Sequence, residues 1–250
     1  MGTEFFILFA VGFLAQLIDG ALGMAYGVIS TSALLLIGLP PAQASAVVHT
    51  AEIFTTSASA ASHIYHRNVD WRLVTRLGGA GVLGAVLGAW ILSNVDATAA
   101  KPFVFGYLLL ASIYIIFKAI WTAPRRRRTP SALTSPVGFV AGFLDASGGG
   151  GWGPIATSTL IGSGHDPRKS VGSVNSTEFF VTVAAATTFF IELGASPLGS
   201  LIPLVLGGLL AAPLGGWAVK RIPARTLMIA VRLLLLGLSM WQLARTFGLV

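Results

Sequence analysis

The sequence has no cysteine, few charges and very few acids. Without cysteine, disulfides and thiol chemistry are excluded. Charged residues make up 10% of the chain, where a soluble globule carries about a quarter. What replaces them is apolar: 54% of residues are hydrophobic and the mean hydropathy is +0.81. Several apolar runs approach or exceed the roughly 18 residues that read as membrane segments. The chain is therefore read as a polytopic membrane protein. Its net charge of +7 would suggest nucleic acid in a soluble protein. In a membrane protein it reports loops held on the cytoplasmic side, and no nucleic-acid partner is expected. The first apolar run starts at Phe5 with no separate cleavable signal ahead of it, so none is expected. No Gly-x-Ser-x-Gly signature places a serine beside a base, so an enzyme is not expected.

What the sequence does hold is a duplication. A shift of about 126 positions lays Val11-Gly12-Phe13-Leu14 on Val137-Gly138-Phe139-Val140, and Asp19 on Asp145. The same shift pairs Gly23 with Gly149, Tyr26 with Trp152, His49 with Asn175, Glu52 with Glu178 and Thr56 with Thr182. One inserted residue later, Gly88-Ala89-Trp90 meets Gly215-Gly216-Trp217. The chain divides accordingly into an N-terminal repeat (1–121), a basic linker (122–131) and a C-terminal repeat (132–250).

Each repeat opens on an apolar stretch broken by an acid and glycines, at Asp19-Gly20-Ala21-Leu22-Gly23 and at Asp145-Ala146-Ser147-Gly148-Gly149-Gly150-Gly151. In the first repeat each piece of the pair, roughly 15 residues, reaches only about 24 Å as helix, short of a ~30 Å hydrocarbon core. Helices are then expected near 43–63, 74–92 and 101–121, and near 170–191, 199–219 and 226–246. Basic residues cluster in the loops at 66–76, 125–128, 168–169 and 220–225, while those at 38–44, 93–100 and 192–199 carry none. All the basic loops fall on one side only if each broken pair goes in and comes back, as a re-entrant pair or two short spans. The expected fold is thus all-α, with two inverted-topology repeats, each a broken or re-entrant helix pair followed by three transmembrane helices. Such an arrangement recurs in secondary transporters. Arg125–Arg128 is placed on the cytoplasmic face of a bacterial inner membrane.

Four of the nine acidic residues, Asp19, Glu52, Asp145 and Glu178, occupy repeat-related positions inside the apolar segments. A carboxylate in hydrocarbon costs about 3 kcal/mol or more, which makes function the default reading. Asp19 and Asp145 have a second reading, as caps on the helix that follows each break. Glu52 and Glu178, midway along unbroken helices, read as coupling groups. His49, Glu52 and Thr56 share one helix face, as do Asn175, Glu178 and Thr182. His49 and Glu52 alone are two ligands, too few for a metal site, and no metal or cofactor is expected. The glycines Gly148, Gly149, Gly150 and Gly151 can leave amides bare at a half-helix start, where anions bind. They lack a Gly-Lys-Ser/Thr ending, so nucleotide is not indicated. Ser147, Asn175 and Ser176 are neutral donors beside this break, and Trp152 either lines the path or packs there. Gly23, Tyr26, His49 and Thr50 form the corresponding set in the first repeat. Arg232 reads as snorkelling to the interface. Trp71, Trp90, Trp121 and Trp217 read as interfacial anchors.

These residues resemble the sulfite exporter TauE/SafE family of bacterial membrane transporters. The resemblance rests on the duplicated breaks, Leu144 to Pro154 and Ile18 to Gly27, and on the segments starting at Pro41 and Pro167, and it covers essentially the whole chain. It implies export or uptake of sulfur-containing or organic anions such as sulfite, sulfonates or sulfoacetate. The first break departs from the multi-glycine form at Ala21, Leu22 and Met24, so only the second is expected to be a full anion cradle. The expected partners are a small anionic substrate, the lipid bilayer and a second copy of the chain. A cation or metal carrier using the four carboxylates is the rival reading.

Overall fold

A computed structural model describes residues 2–121, 131–195 and 197–221, and all regular structure in them is helical. In order these are α1 (Gly2–Leu22), α2 (Tyr26–Leu36), α3 (Pro41–Tyr65), α4 (Trp71–Asn94) and α5 (Ala97–Trp121). After these come α6 (Ser131–Gly148), a π-helical turn (Gly153–Thr157), α7 (Ser158–Gly162), α8 (Pro167–Leu193) and α9 (Leu198–Arg221). The Arg125–Arg128 cluster, the helix expected at 226–246 and Arg232 lie outside the described residues.

Local chemistry explains where the helices start. Asp70 accepts from the Arg72 amide and Asp166 from the Lys169 amide, capping α4 and α8. Pro41 and Pro167 take first-turn positions that need no donor. Asp96 caps α5, and the amides of Thr98 and then Ala99 hold its carboxyl below the usual carboxylate range. That stabilisation is present at neutral pH and is lost only as pH falls through the lowered folded value.

The first pair breaks at the Gly23 end of the expected segment, and its two arms are unequal where similar lengths were expected. α1 runs for 21 residues and α2 for 11, so the first arm reaches about 31 Å and can cross a bilayer alone, while the second reaches about 16 Å. Asp19 and Gly20 remain inside α1 because a helix is the only way to satisfy backbone groups in lipid. The chain leaves it at Gly23, where φ is +65°. In the second pair α6 has 18 residues and the returning arm consists of the π-helical turn and α7.

The helices interleave across the two halves. α1 packs along α9 and α4 along α6, the same exchange seen from each half, while α3 and α8 pack on each other at the centre. The glycine contacts repeat too. A Cβ at Gly12 would strike the Leu204 backbone, and one at its twin Gly138 would strike the Leu77 backbone. Gly208 sits against Tyr26 and Thr55, and Gly81 against their counterparts Trp152 and Val181. In lipid such close approach replaces the hydrophobic effect as the source of helix association. α3 and α8 run antiparallel, since Ser59 donates to Asn175 while Lys169 Nζ reaches the Arg67 carbonyl beyond the end of α3. This contact joins two of the basic loops at one end. At the other, Asn94 Nδ2 bonds to Glu192, joining two loops without lysine or arginine.

Large apolar side chains such as Leu83, Phe103, Leu110, Phe190 and Ile191 face outward. Trp71 and Trp90 are exposed close to the two ends of α4, as interfacial anchors would be. The interior holds, beside apolar side chains such as Leu34 and Phe189, many small and polar groups, with Asp19, Glu52, Asp145 and Glu178 all buried.

The packing can be tested at two glycines. Gly142 rests on the Gly81 carbonyl, with no room for a Cβ, while Gly79 has open space around it. Gly142→Val is expected to cost about 1–3 kcal/mol through overpacking and to lower the melting temperature in detergent. Gly79→Ala should leave it unchanged or raise it slightly.

Candidate functional site

The two breaks cross each other at the level of Glu52, halfway along α3. Gly27 lies against Gly149, Gly150 and Glu52 Oε1, and Gly153 lies against Gly23 and Met24. These contacts are repeat-related, as are Thr31 beside Gly149 and Thr157 beside Gly23. Thr157 Oγ1 donates to the Gly23 carbonyl at 2.8 Å, locking one arm to the other.

Asp145 organises the second break. Its main-chain carbonyl accepts from the Gly149 and Gly150 amides at 2.8 and 3.1 Å. Its Oδ1 accepts from the Gly151 and Trp152 amides at 2.6 and 3.0 Å. The donors available for an anion at this glycine run are thus held by one aspartate, which acts as the cap of the returning arm. Gly149 and Gly150 permit the turn with φ of +77° and +146°. Asp19 makes the corresponding contact more weakly, through a single 3.5 Å bond from the Tyr26 amide.

The remaining oxygen, Oδ2, lies 3.2 Å from His49 Nε2. The opposite ring nitrogen, Nδ1, is 2.8 Å from the Ser45 carbonyl, which can only accept, so Nδ1 carries a hydrogen. Ser45 Oγ in turn donates to the Ala146 carbonyl at 2.8 Å, pinning α3 to the end of α6. Phe189 covers the imidazole with ring centroids 5.9 Å apart. Glu52 lies one turn below His49, and its Oε2 has no hydrogen-bond partner among the described residues; Glu178 Oε2 is in the same position. His49, Glu52 and Asp145 bring ligating atoms within 4.8 Å of one another. The sequence offers His49 and Glu52 as neighbours on a helix; the fold adds Asp145 as a third.

The second half does not repeat this arrangement. Asn175, the counterpart of His49, donates to the Val171 carbonyl and accepts from Ser59 Oγ at 2.9 Å. Ser147, Ser176 and Thr50 each donate to a carbonyl one turn back on their own helix. Trp152 is wholly buried and donates from Nε1 to the Val174 carbonyl. Tyr26 places its hydroxyl 3.4 Å from the Leu204 carbonyl.

One contributor has no mark in the duplication. Tyr107 on α5 donates to the Gly150 carbonyl at 3.0 Å, and its ring closes over Gly148 and Gly151. A tyrosine midway along a membrane helix, rather than at its end, is the signal that could have found it.

A helical bundle with buried carboxylates around crossed helix breaks defines a polytopic membrane transporter. The chain matches the family described as Sulfite exporter TauE/SafE over residues 8–241, and it belongs to that family. It is 45% identical over 224 residues to a Bacillus subtilis (strain 168) protein named "Probable membrane transporter protein YtnM", covering 86% of this chain and 75% of the relative. A Haemophilus influenzae "Probable membrane transporter protein" is 28% identical over 219 residues, covering 84% of this chain and 82% of the relative. No solved structure matches.

The caps should differ measurably. Asp145→Ala removes two short charge-assisted bonds and is expected to cost about 2–3 kcal/mol in unfolding experiments in detergent. Asp19→Ala should cost less than half as much, and equal losses would show that the two breaks rely on their caps alike. Tyr107→Phe should cost about 1 kcal/mol.

Proposed function

We propose that the chain is a secondary transporter of small sulfur-containing or organic anions, of the sulfite, sulfonate or sulfoacetate kind, in the bacterial inner membrane. It works by alternating access between two inverted halves, 1–121 and 132–250. The observation that carries this reading is the crossing of the breaks: each half places its helix break on the other's, level with the middle of α3. Movement of one half against the other therefore acts directly on the breaks. The antiparallel α3–α8 pair and the exchanged packing of α1 on α9 and α4 on α6 support the inversion. The joined basic loops, including Arg67 and Lys169, support a cytoplasmic position for that end.

At the second break Asp145 Oδ1 occupies the two amides to which an anionic oxygen would bind. Substrate competes with it, and His49 on the far oxygen is placed to hold the displaced carboxylate. Asn175 lies beside Gly23 of the first break, and Ser147 and Ser176 bond to carbonyls of their own helices, leaving them as neutral groups of the centre. Carboxylates around the path oppose an anion unless they take up protons, which makes Glu52 and Glu178 the proton carriers of this scheme.

Flux of labelled sulfite and of a small sulfonate into proteoliposomes, with and without an imposed pH gradient, tests the reading. Wild type should show saturable uptake. Gly149→Leu should abolish it, because the new side chain meets Thr31 at a left-handed position. Glu178→Gln should retain exchange but lose its response to the gradient. Absence of saturable flux of either anion would sink the substrate assignment.

A further inference from the structure

The cluster formed by His49, Glu52 and Asp145 gathers three ligating groups in one buried place. Nδ1 of His49 is committed as donor to the Ser45 carbonyl. Nε2 lies 3.2 Å from Asp145 Oδ2, a contact that closes as an ion pair when Nε2 is protonated and that a metal ion takes over when the ring is neutral. The third group, Glu52, has a buried Oε2 with no partner among the described residues. Apart from His49 beside Asp145, neither carboxylate forms an ion pair among those residues, and all three residues are 3% exposed or less.

We propose that this cluster binds one divalent transition-metal ion, of the zinc or cobalt class. His49 Nε2, an Asp145 oxygen and the Glu52 carboxylate are the ligands, and two carboxylates match the ion's charge. Imidazole with carboxylates is a ligand set such ions accept. The 3.2 Å separation of Nε2 and Oδ2 suits adjacent ligands each about 2.0–2.2 Å from a metal. The hydrogen bond from the opposite ring nitrogen to a backbone carbonyl is the support that metal-bound histidines have. Asp145 Oδ1 is fixed independently by the Gly151 and Trp152 amides, so the carboxylate is already oriented. The duplicated half cannot supply a second such site, because Asn175 stands where the first half has His49. The stoichiometry is therefore one ion per chain, and the site does not depend on which cargo is carried.

The experiment is a titration of the purified, metal-stripped full chain in detergent with Co2+. The readout is the visible absorption of the bound ion, followed by displacement with Zn2+. One Co2+ per chain is expected, released by Zn2+. His49→Gln and Glu52→Gln should each weaken binding about tenfold or more. The paired loop variant His63→Ala/His66→Ala should bind like wild type. Melting curves taken alongside identify any variant that fails to fold. The proposal is overturned if folded wild type shows no saturable Co2+ binding. It is equally overturned if folded His49→Gln and Glu52→Gln bind unchanged, or if two ions bind per chain. Because the readout is binding in detergent, failure of sulfite flux leaves this result untouched.

Discussion

A helix that stops inside a membrane frees amides that no water can reach, and each must find an acceptor within the protein. At the second break Asp145 meets that demand alone, taking four consecutive amides on its carbonyl and one carboxylate oxygen. The rest of the centre follows from this commitment. Gly149 and Gly150 are needed to turn the chain tightly enough to bring those amides round. Once the turn is made, their bare backbone lets Gly27 of the other break lie directly on them. The oxygen left over is what draws His49, and through it Ser45 and α3, onto the end of α6.

Much of this was legible beforehand because the duplication supplies its own control. Pairing Asp19 with Asp145 located both breaks, and pairing Glu52 with Glu178 located the central helices. The glycine-rich α4 was recognisable as a close-packing helix. Its specific partner was not, since nothing in Gly84 or Gly81 says which backbone it will touch. The exchange of α1 onto α9 and α4 onto α6 is a property of two surfaces together. The unequal lengths of the two arms of the first pair were not legible for a related reason. Hydropathy dips from Asp19, but α1 runs on to Leu22 and ends where Gly23 takes a positive φ. Tyr107 and the third ligand, Asp145, became visible only when helices distant in sequence were set side by side.

The two halves share a plan while differing in chemistry. The packing residues keep their partners: Gly81 with Trp152 and Val181, Gly208 with Tyr26 and Thr55. The polar residues do not. His49 bonds to Asp145, while Asn175 bonds to Ser59 and the Val171 carbonyl. The cap is tight in one half and long in the other. Scaffold symmetry thus coexists with an asymmetric centre, in which, among the described residues, the second break alone is clamped by an aromatic hydroxyl and approached by an imidazole.

The exchanged packing has a consequence for biosynthesis. α1 is made first, yet the surface it buries against is α9, about 180 residues later in the chain. At translation rates of roughly 5–20 residues per second, α1 waits in the membrane for on the order of ten seconds or more. During that interval its Gly12 groove is unfilled, and Gln16 and Asp19, buried in the finished protein, face lipid or the insertion machinery. The nascent first half is therefore an incomplete object, and the membrane holds it open until its counterpart is synthesised.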